Sequence, residues 1–148
     1  MNIDNQVEIE ADPAAVWAVF TDVGRWPEWT PSVREAKGLD SPGVDVGNRF
    51  SIRQPRLPRL VWEVTEVTPG RCWAWRSHSF AAESIATHEL IPAAPGRTDV
   101  RQRLQLRGPL GVLTAVTRRR LMRRYLDMEA AGLKHRVEQP PGESAATA

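Results

Sequence analysis

The sequence predicts an α+β fold: a curved antiparallel sheet of about seven strands wrapped on one long C-terminal helix. Three observations lead to it. Polar and apolar residues alternate in a succession of short segments through the middle of the chain, and no helix-length stretch separates those segments, which excludes a parallel βαβ sheet. Tight-turn sequences, Ser41-Pro-Gly43, Thr68-Pro-Gly70 and Ala94-Pro-Gly96, fall between them, as antiparallel neighbours require. After the last strand comes a long segment with one apolar stripe, and a helix of that kind covers the concave face of a curved sheet.

The elements follow in order. Gln6 to Glu10 alternates as a half-buried strand does, with Ile3, Asn5, Val7 and Ile9 on one face. Asp12-Pro13 opens a helix, Asp as cap and Pro at the first helical position, where its missing N–H costs nothing. Val16, Trp17 and Phe20 recur in it at helical spacing and are expected in the core. Pro27 and Pro31 then limit the next segment to a turn or so of helix. From Val33 the chain is read as strands: Gly47–Gln54, Leu60–Thr68, Cys72–Ser79, Glu83–Ile91 and Thr98–Arg107. Gly108-Pro109 opens a single helix expected to run to about Val137. The segment 139–148 lacks the apolar content to pack and is expected to be disordered, leaving one domain over residues 1–138.

Composition narrows the function classes. A chain of 148 residues with 41% hydrophobic content suits one core, and a domain of that length buries roughly 68–70% of the surface of its unfolded form. Met1 leads into Asn-Ile-Asp-Asn with neither a signal-peptide pattern nor a run long enough to span a bilayer, so a cytoplasmic location is expected. Cys72 is the only cysteine, which rules out an internal disulfide and a thiolate metal cluster, and it reads as a small buried hydrophobe. His78, His88 and His135 have no metal-ligand spacing, and no phosphate-cradling loop or nucleophile elbow occurs, so no metal or cofactor is expected.

Two tryptophans and two prolines crowd the connection Trp26-Pro27-Glu28-Trp29-Thr30-Pro31, which follows the Asp-Pro-Ala-Ala-Val-Trp helix. With the Val64–Gly70 turn and the Trp73-Ala-Trp75 strand, this segment resembles the polyketide cyclase/dehydrase-like proteins of the START and birch-pollen-allergen-like (SRPBCC) helix-grip superfamily. The resemblance covers about residues 3–137. It implies the helix-grip fold and a hollow between sheet and long helix that holds an apolar or aromatic small molecule. It is specific for fold and not for function, since that superfamily includes lipid carriers, aromatase/cyclases and hormone receptors.

Periodicity says independently which side chains face such a hollow. Asp99, Arg101, Arg103, Gln105 and Arg107 mark the wet face of their strand, so Val100, Gln102, Leu104 and Leu106 point inward, Gln102 being the polar exception. By the same rule Trp73, Trp75 and Ser77 face in, as do Ala86, His88 and Leu90, while Trp62 and Val64 are the inward choice on a strand whose Glu63 and Glu66 fall on opposite faces. Phe50 and Gln54 share the remaining inward face, and on the long helix Leu113, Thr117, Leu121, Tyr125 and Met128 form one stripe. Trp26 and Trp29 are expected to close one end, with Trp29 beneath the helix and Trp26 nearer the rim. The candidate ligand-binding set is therefore Trp26, Trp29, Phe50, Gln54, Trp62 and Trp73, together with Trp75, Ser77, His88, Gln102, Leu121 and Tyr125.

No catalytic residue is assigned: His88 has no orienting partner visible in sequence, although a cyclase needs little more than a shaped cavity and one or two proton donors. Binding of a small hydrophobic or aromatic molecule is the leading expectation, with a polyketide cyclase or aromatase using the same cavity as the alternative. A third reading rests on Thr117–Tyr125, where five arginines fall within seven residues and offer an anionic-surface or nucleic-acid contact. Those arginines spread over more than half the helix circumference, which makes no groove-reading surface. Nucleic acid is not an expected partner, weak contact with an anionic membrane surface stays open, and the oligomeric state is not fixed by the sequence.

Overall fold

The computed structural model describes residues 1–139. Seven strands, β1 (Asn2–Ile9), β2 (Glu35–Gly38), β3 (Arg49–Arg53), β4 (Leu60–Thr68), β5 (Cys72–Ser79), β6 (Ala82–Ala94) and β7 (Arg97–Arg107), form one antiparallel sheet in the order β1-β7-β6-β5-β4-β3-β2. Helix α1 (Pro13–Phe20) and a 3-10 segment (Val23–Glu28) link β1 to β2, and α2 (Pro109–Thr117) and α3 (Arg119–Glu138) follow β7. The predicted architecture holds, apart from the undivided C-terminal helix; the expectation of a disordered tail falls, beyond Gln139, outside the described residues.

That helix is two helices. The chain leaves helical geometry at Arg118, where φ is −120° and ψ 19°. Thr114 and Thr117 each donate their hydroxyl to the carbonyl four residues back, Leu110 at 2.7 Å and Leu113 at 2.8 Å, and such back-bonding bends a helix. The consequence is that Leu113 and Thr117, expected on the cavity wall, are exposed on α2 instead.

A second departure lies in β4. Val64 pairs with Trp75 but Glu66 pairs with Ala74, so Thr65 is an extra residue, a β-bulge that resets the alternation. Glu63, opposite Arg76, and Glu66 therefore share the outer face, contrary to the strict period-two reading, and Val67 joins Trp73 on the inner one. Smaller corrections concern Asp12, whose carboxylate accepts the Gly96 amide at 3.1 Å and makes no cap bond to α1, and Trp17 and Cys72, which are only half-buried.

The core is aromatic. Phe20, Trp26, Trp73 and Trp75 surround His88 with ring centroids 4.0–6.2 Å from it, and Trp62 and Phe50 continue the cluster from Trp75. Helix α3 closes over the sheet at Gly132, where any Cβ would stand 2.0 Å from the Trp29 carbonyl oxygen; only glycine permits that approach.

Candidate functional site

Between the inner sheet face and α3 lies an open-ended cavity of about 90 Å³. Trp26, Trp62, Trp75 and His88 form its floor, and each of them is buried. Ile52, Leu60, Ala86 and Leu104 make the sheet wall, and α3 supplies Met122, Tyr125, Leu126 and Glu129. Gln54, Leu57 and Ser84, all half-buried, stand toward the other end. Along β6 the inward side chains pass from buried His88 to half-buried Ala86 and Ser84, which puts the mouth at the Ser84 end.

Of the twelve residues singled out from sequence, Trp26, Gln54, Trp62, Trp75, His88 and Tyr125 line this cavity. Trp26 is not at a rim: its Nε1 donates to the Phe20 carbonyl at 2.9 Å and its ring sits amid the core aromatics. Trp73 and Phe50 are one layer deeper, Trp73 stacked on His88 at 4.0 Å and Phe50 against Trp75 at 6.0 Å. Trp29 does lie beneath α3, but on the far side of Trp26 and away from the cavity. Ser77 is buried, its hydroxyl without a hydrogen-bond partner among the described residues, and lies off the cavity surface, and Leu121 yields its wall position to Met122.

Gln102 reaches the cavity only through a residue that the sequence reading missed. Its Nε2 donates to Glu129 Oε1 at 2.7 Å, and Glu129 lines the cavity, its Oε2 making no hydrogen bond among the described residues. Glu129 lies four residues after Tyr125 and four before Leu133, so it belongs to the inward stripe of α3; a carboxylate on an apolar stripe, with an inward glutamine on β7, was the available signal.

Burial decides the protonation of this group. It pushes the Glu129 carboxyl up to about 8, against a smaller opposing effect of the Gln102 hydrogen bond, so the acid is neutral near pH 7. Burial likewise brings the His88 imidazole down to about 3, opposed by its bond to the Trp73 carbonyl. Because a carbonyl only accepts, Nδ1 carries the proton donated to Trp73 O at 3.2 Å, and Nε2 keeps its lone pair. His88 Nε2 and Glu129 Oε1 are 4.0 Å apart, beyond the 2.7–2.9 Å of a charge-assisted hydrogen bond, so we assign a neutral pair and not an ion pair. The cavity thus presents one O–H donor and one nitrogen acceptor, side by side, in an aromatic box.

Two bonds tie the β3–β4 loop to α3 and to the α2–α3 junction. The Tyr125 hydroxyl donates to the Pro55 carbonyl, and Arg118 Nη1 donates to the Arg56 carbonyl at 2.6 Å, Arg56 holding a positive φ of 63°. With these latches made, the enclosed space is smaller than the roughly 150 Å³ apolar cavity that takes a benzene.

The comparisons agree with this fold. Residues 1–138 match the family model described as polyketide cyclase / dehydrase and lipid transport. None of the curated proteins matches the sequence. Among solved structures, a hypothetical protein from Helicobacter pylori superposes with a TM-score of 0.81 at 15% identity, over 93% of this chain and 88% of that one. The Zhui aromatase/cyclase from Streptomyces sp. R1128 gives 0.77 at 12% identity, over 93% of each chain. A START superfamily protein from Mycobacterium smegmatis gives 0.72 at 18% identity, over 93% of this chain and 97% of that one. At such identities the likenesses speak for the helix-grip fold alone. With the family model spanning every element from β1 to α3, the chain belongs to the polyketide cyclase / dehydrase and lipid transport family.

Proposed function

We propose that the protein binds a small aromatic or polycyclic molecule carrying a carbonyl or hydroxyl group, with the ring against Trp62 and Trp75 and the oxygen at Glu129 and His88. The observation that carries this reading is the neutral Glu129 acid, buried, held by Gln102 and lining the cavity. A buried carboxyl left in contact with a hollow is costly unless its O–H finds an acceptor, so a carbonyl oxygen gains more here than a hydrocarbon does. His88 Nε2 adds an acceptor, which suits a hydroxyl or an enolised carbonyl. The indole faces account for the aromatic preference.

Size limits the ligand. A molecule of more than one ring fits only if it projects through the mouth or if the β3–β4 loop swings away from Tyr125 and Arg118. Native mass spectrometry of gently purified protein, with identification of any released molecule, tests the proposal: an oxygen-bearing aromatic supports it, and a saturated fatty acid or sugar counts against it.

One observation favours a second reading, cyclisation of a poly-β-carbonyl substrate. His88 Nε2 and Glu129 are close enough to serve the two ends of an aldol step. His88 would take the proton from the carbon between two carbonyls, that carbon would form the new bond to a second carbonyl carbon, and the Glu129 proton would go to the resulting alkoxide oxygen. An imidazole brought down to about 3 is a poor base, however, and for that reason we place binding first.

A further inference from the structure

Helix α2 is amphipathic in the wrong sense for a helix that serves a core. Its small residues, Gly111 and Ala115, face the protein, with Gly111 close against the backbone of Leu106 and Glu83. Its large apolar residues face water: Val116 is 63% exposed and Leu113 55%, and Val112 and Leu110 are exposed beside them. Spacings of three and four residues put Val112, Leu113 and Val116 on one side. The β5–β6 turn adds Phe80, 89% exposed, and is fastened to the start of α2 by the Leu110 amide, which donates to the Ala81 carbonyl at 3.0 Å.

Charge borders this patch on one side. Arg118, Arg119, Arg120, Arg123 and Arg124 follow α2 directly and are all exposed. Among the described residues none of the five is in an ion pair, although Arg118 and Arg123 each bond a backbone carbonyl. We propose that α2, together with Phe80, is a docking surface for an anionic lipid bilayer, the apolar side chains entering the headgroup–acyl boundary and the arginines holding lipid phosphates. A short helix lying in the interface plane, apolar on the lipid side and flanked by arginine, binds in this manner. A second copy of the chain is a poor occupant, because a two-fold contact across α2 would bring two arginine clusters together. Nucleic acid is poorer still, since exposed Leu, Val and Phe have no counterpart on a phosphate backbone.

Docking in this pose has a consequence for the cavity, whose mouth residue Ser84 lies on β6, an element packed against α2. The opening stands beside the bilayer surface, from which an apolar ligand enters without crossing water. The docking proposal itself does not depend on the identity of that ligand.

Flotation of the full chain with mixed phosphatidylcholine–phosphatidylglycerol vesicles, against pure phosphatidylcholine vesicles, tests it. Binding to the mixed vesicles only is expected, weakening as salt rises. Replacing Arg119 and Arg120 by Gln should weaken it about fivefold per arginine and flatten the salt dependence. The double variant Leu113→Ser, Val116→Ser, at exposed positions and so expected to melt like the wild type, should lose about tenfold or more. No binding to the mixed vesicles at low salt overturns the proposal. So does binding that the Leu113/Val116 variant leaves unchanged, which is mere adsorption of arginine. Self-association in sedimentation that the same variant abolishes would give the patch to a second copy instead.

Discussion

Glu129 on α3 and His88 on β6 face each other across 4.0 Å at the bottom of the cavity, both buried and both neutral. A hollow that keeps an acid protonated and an imidazole unprotonated, side by side, has a pH signature in stability. In the unfolded chain Glu129 titrates near 4.5, and in the fold near 8, so the stability it contributes is complete below 4.5 and is lost as pH rises to 8. His88 has its pKa lowered from 6.5 to about 3, so its contribution is complete above 6.5 and is lost as pH falls to 3. Between 4.5 and 6.5 the two slopes oppose each other. The melting temperature should therefore be flat in that window, fall on the alkaline side up to about pH 8, and fall on the acid side. Glu129→Gln, which still accepts the Gln102 bond, should remove the alkaline fall and spare the acid one; an unchanged alkaline limb in thermal melts would show that Glu129 is not a buried neutral acid.

The register of α3 gives a stability contrast. Leu133 is fully buried in the core, whereas Leu121 is half-buried near the helix start. Leu133→Ala should cost about 2–5 kcal/mol as a core truncation, and Leu121→Ala clearly less. Equal shifts of the two denaturation midpoints would contradict the observed register.

Tyr125→Phe removes the bond to the Pro55 carbonyl while keeping the ring in place. A cost of about 0.5–1.5 kcal/mol is expected. Amide exchange at Leu57, whose N–H bonds Gln54 O across the loop, should quicken, while amides of β5 stay protected. If Leu57 exchange is unaltered, the tyrosine does not latch the loop.

These measurements bear on features of unequal legibility. The inward faces of β5, β6 and β7 could be read from sequence because Arg76, Glu89, Arg101 and Arg103 mark the wet side so plainly that period two does the rest. The bulge at Thr65 could not, since one extra residue in β4 leaves no compositional trace and inverts the parity beyond it. Hydrophobicity alone prefers Met128 to Glu129 on the wall; the partner of Glu129, Gln102, is 27 residues away on another element, and only folding joins them. The break at Arg118 follows two threonines whose hydroxyls bond back along the helix, one of two states open to such residues and not readable from composition. The sequence puts both Trp26 and Trp29 at one end of the hollow with Trp26 nearer the rim; in the fold only Trp26 lines the cavity, because Gly132 lets α3 close onto Trp29.

The central claim is that Glu129 donates to an oxygen on an aromatic ligand, and a matched pair of probes tests it most directly. Calorimetric titration at pH 6.5 with 2-acetylnaphthalene and with 2-ethylnaphthalene compares one ring system with and without the acceptor. The account predicts that the ketone binds about tenfold more tightly, the value of one hydrogen bond to a buried donor, and that Glu129→Leu erases the difference while retaining the fold. Equal affinity of the wild type for both probes, or a preference for the ketone that survives in Glu129→Leu, would contradict it.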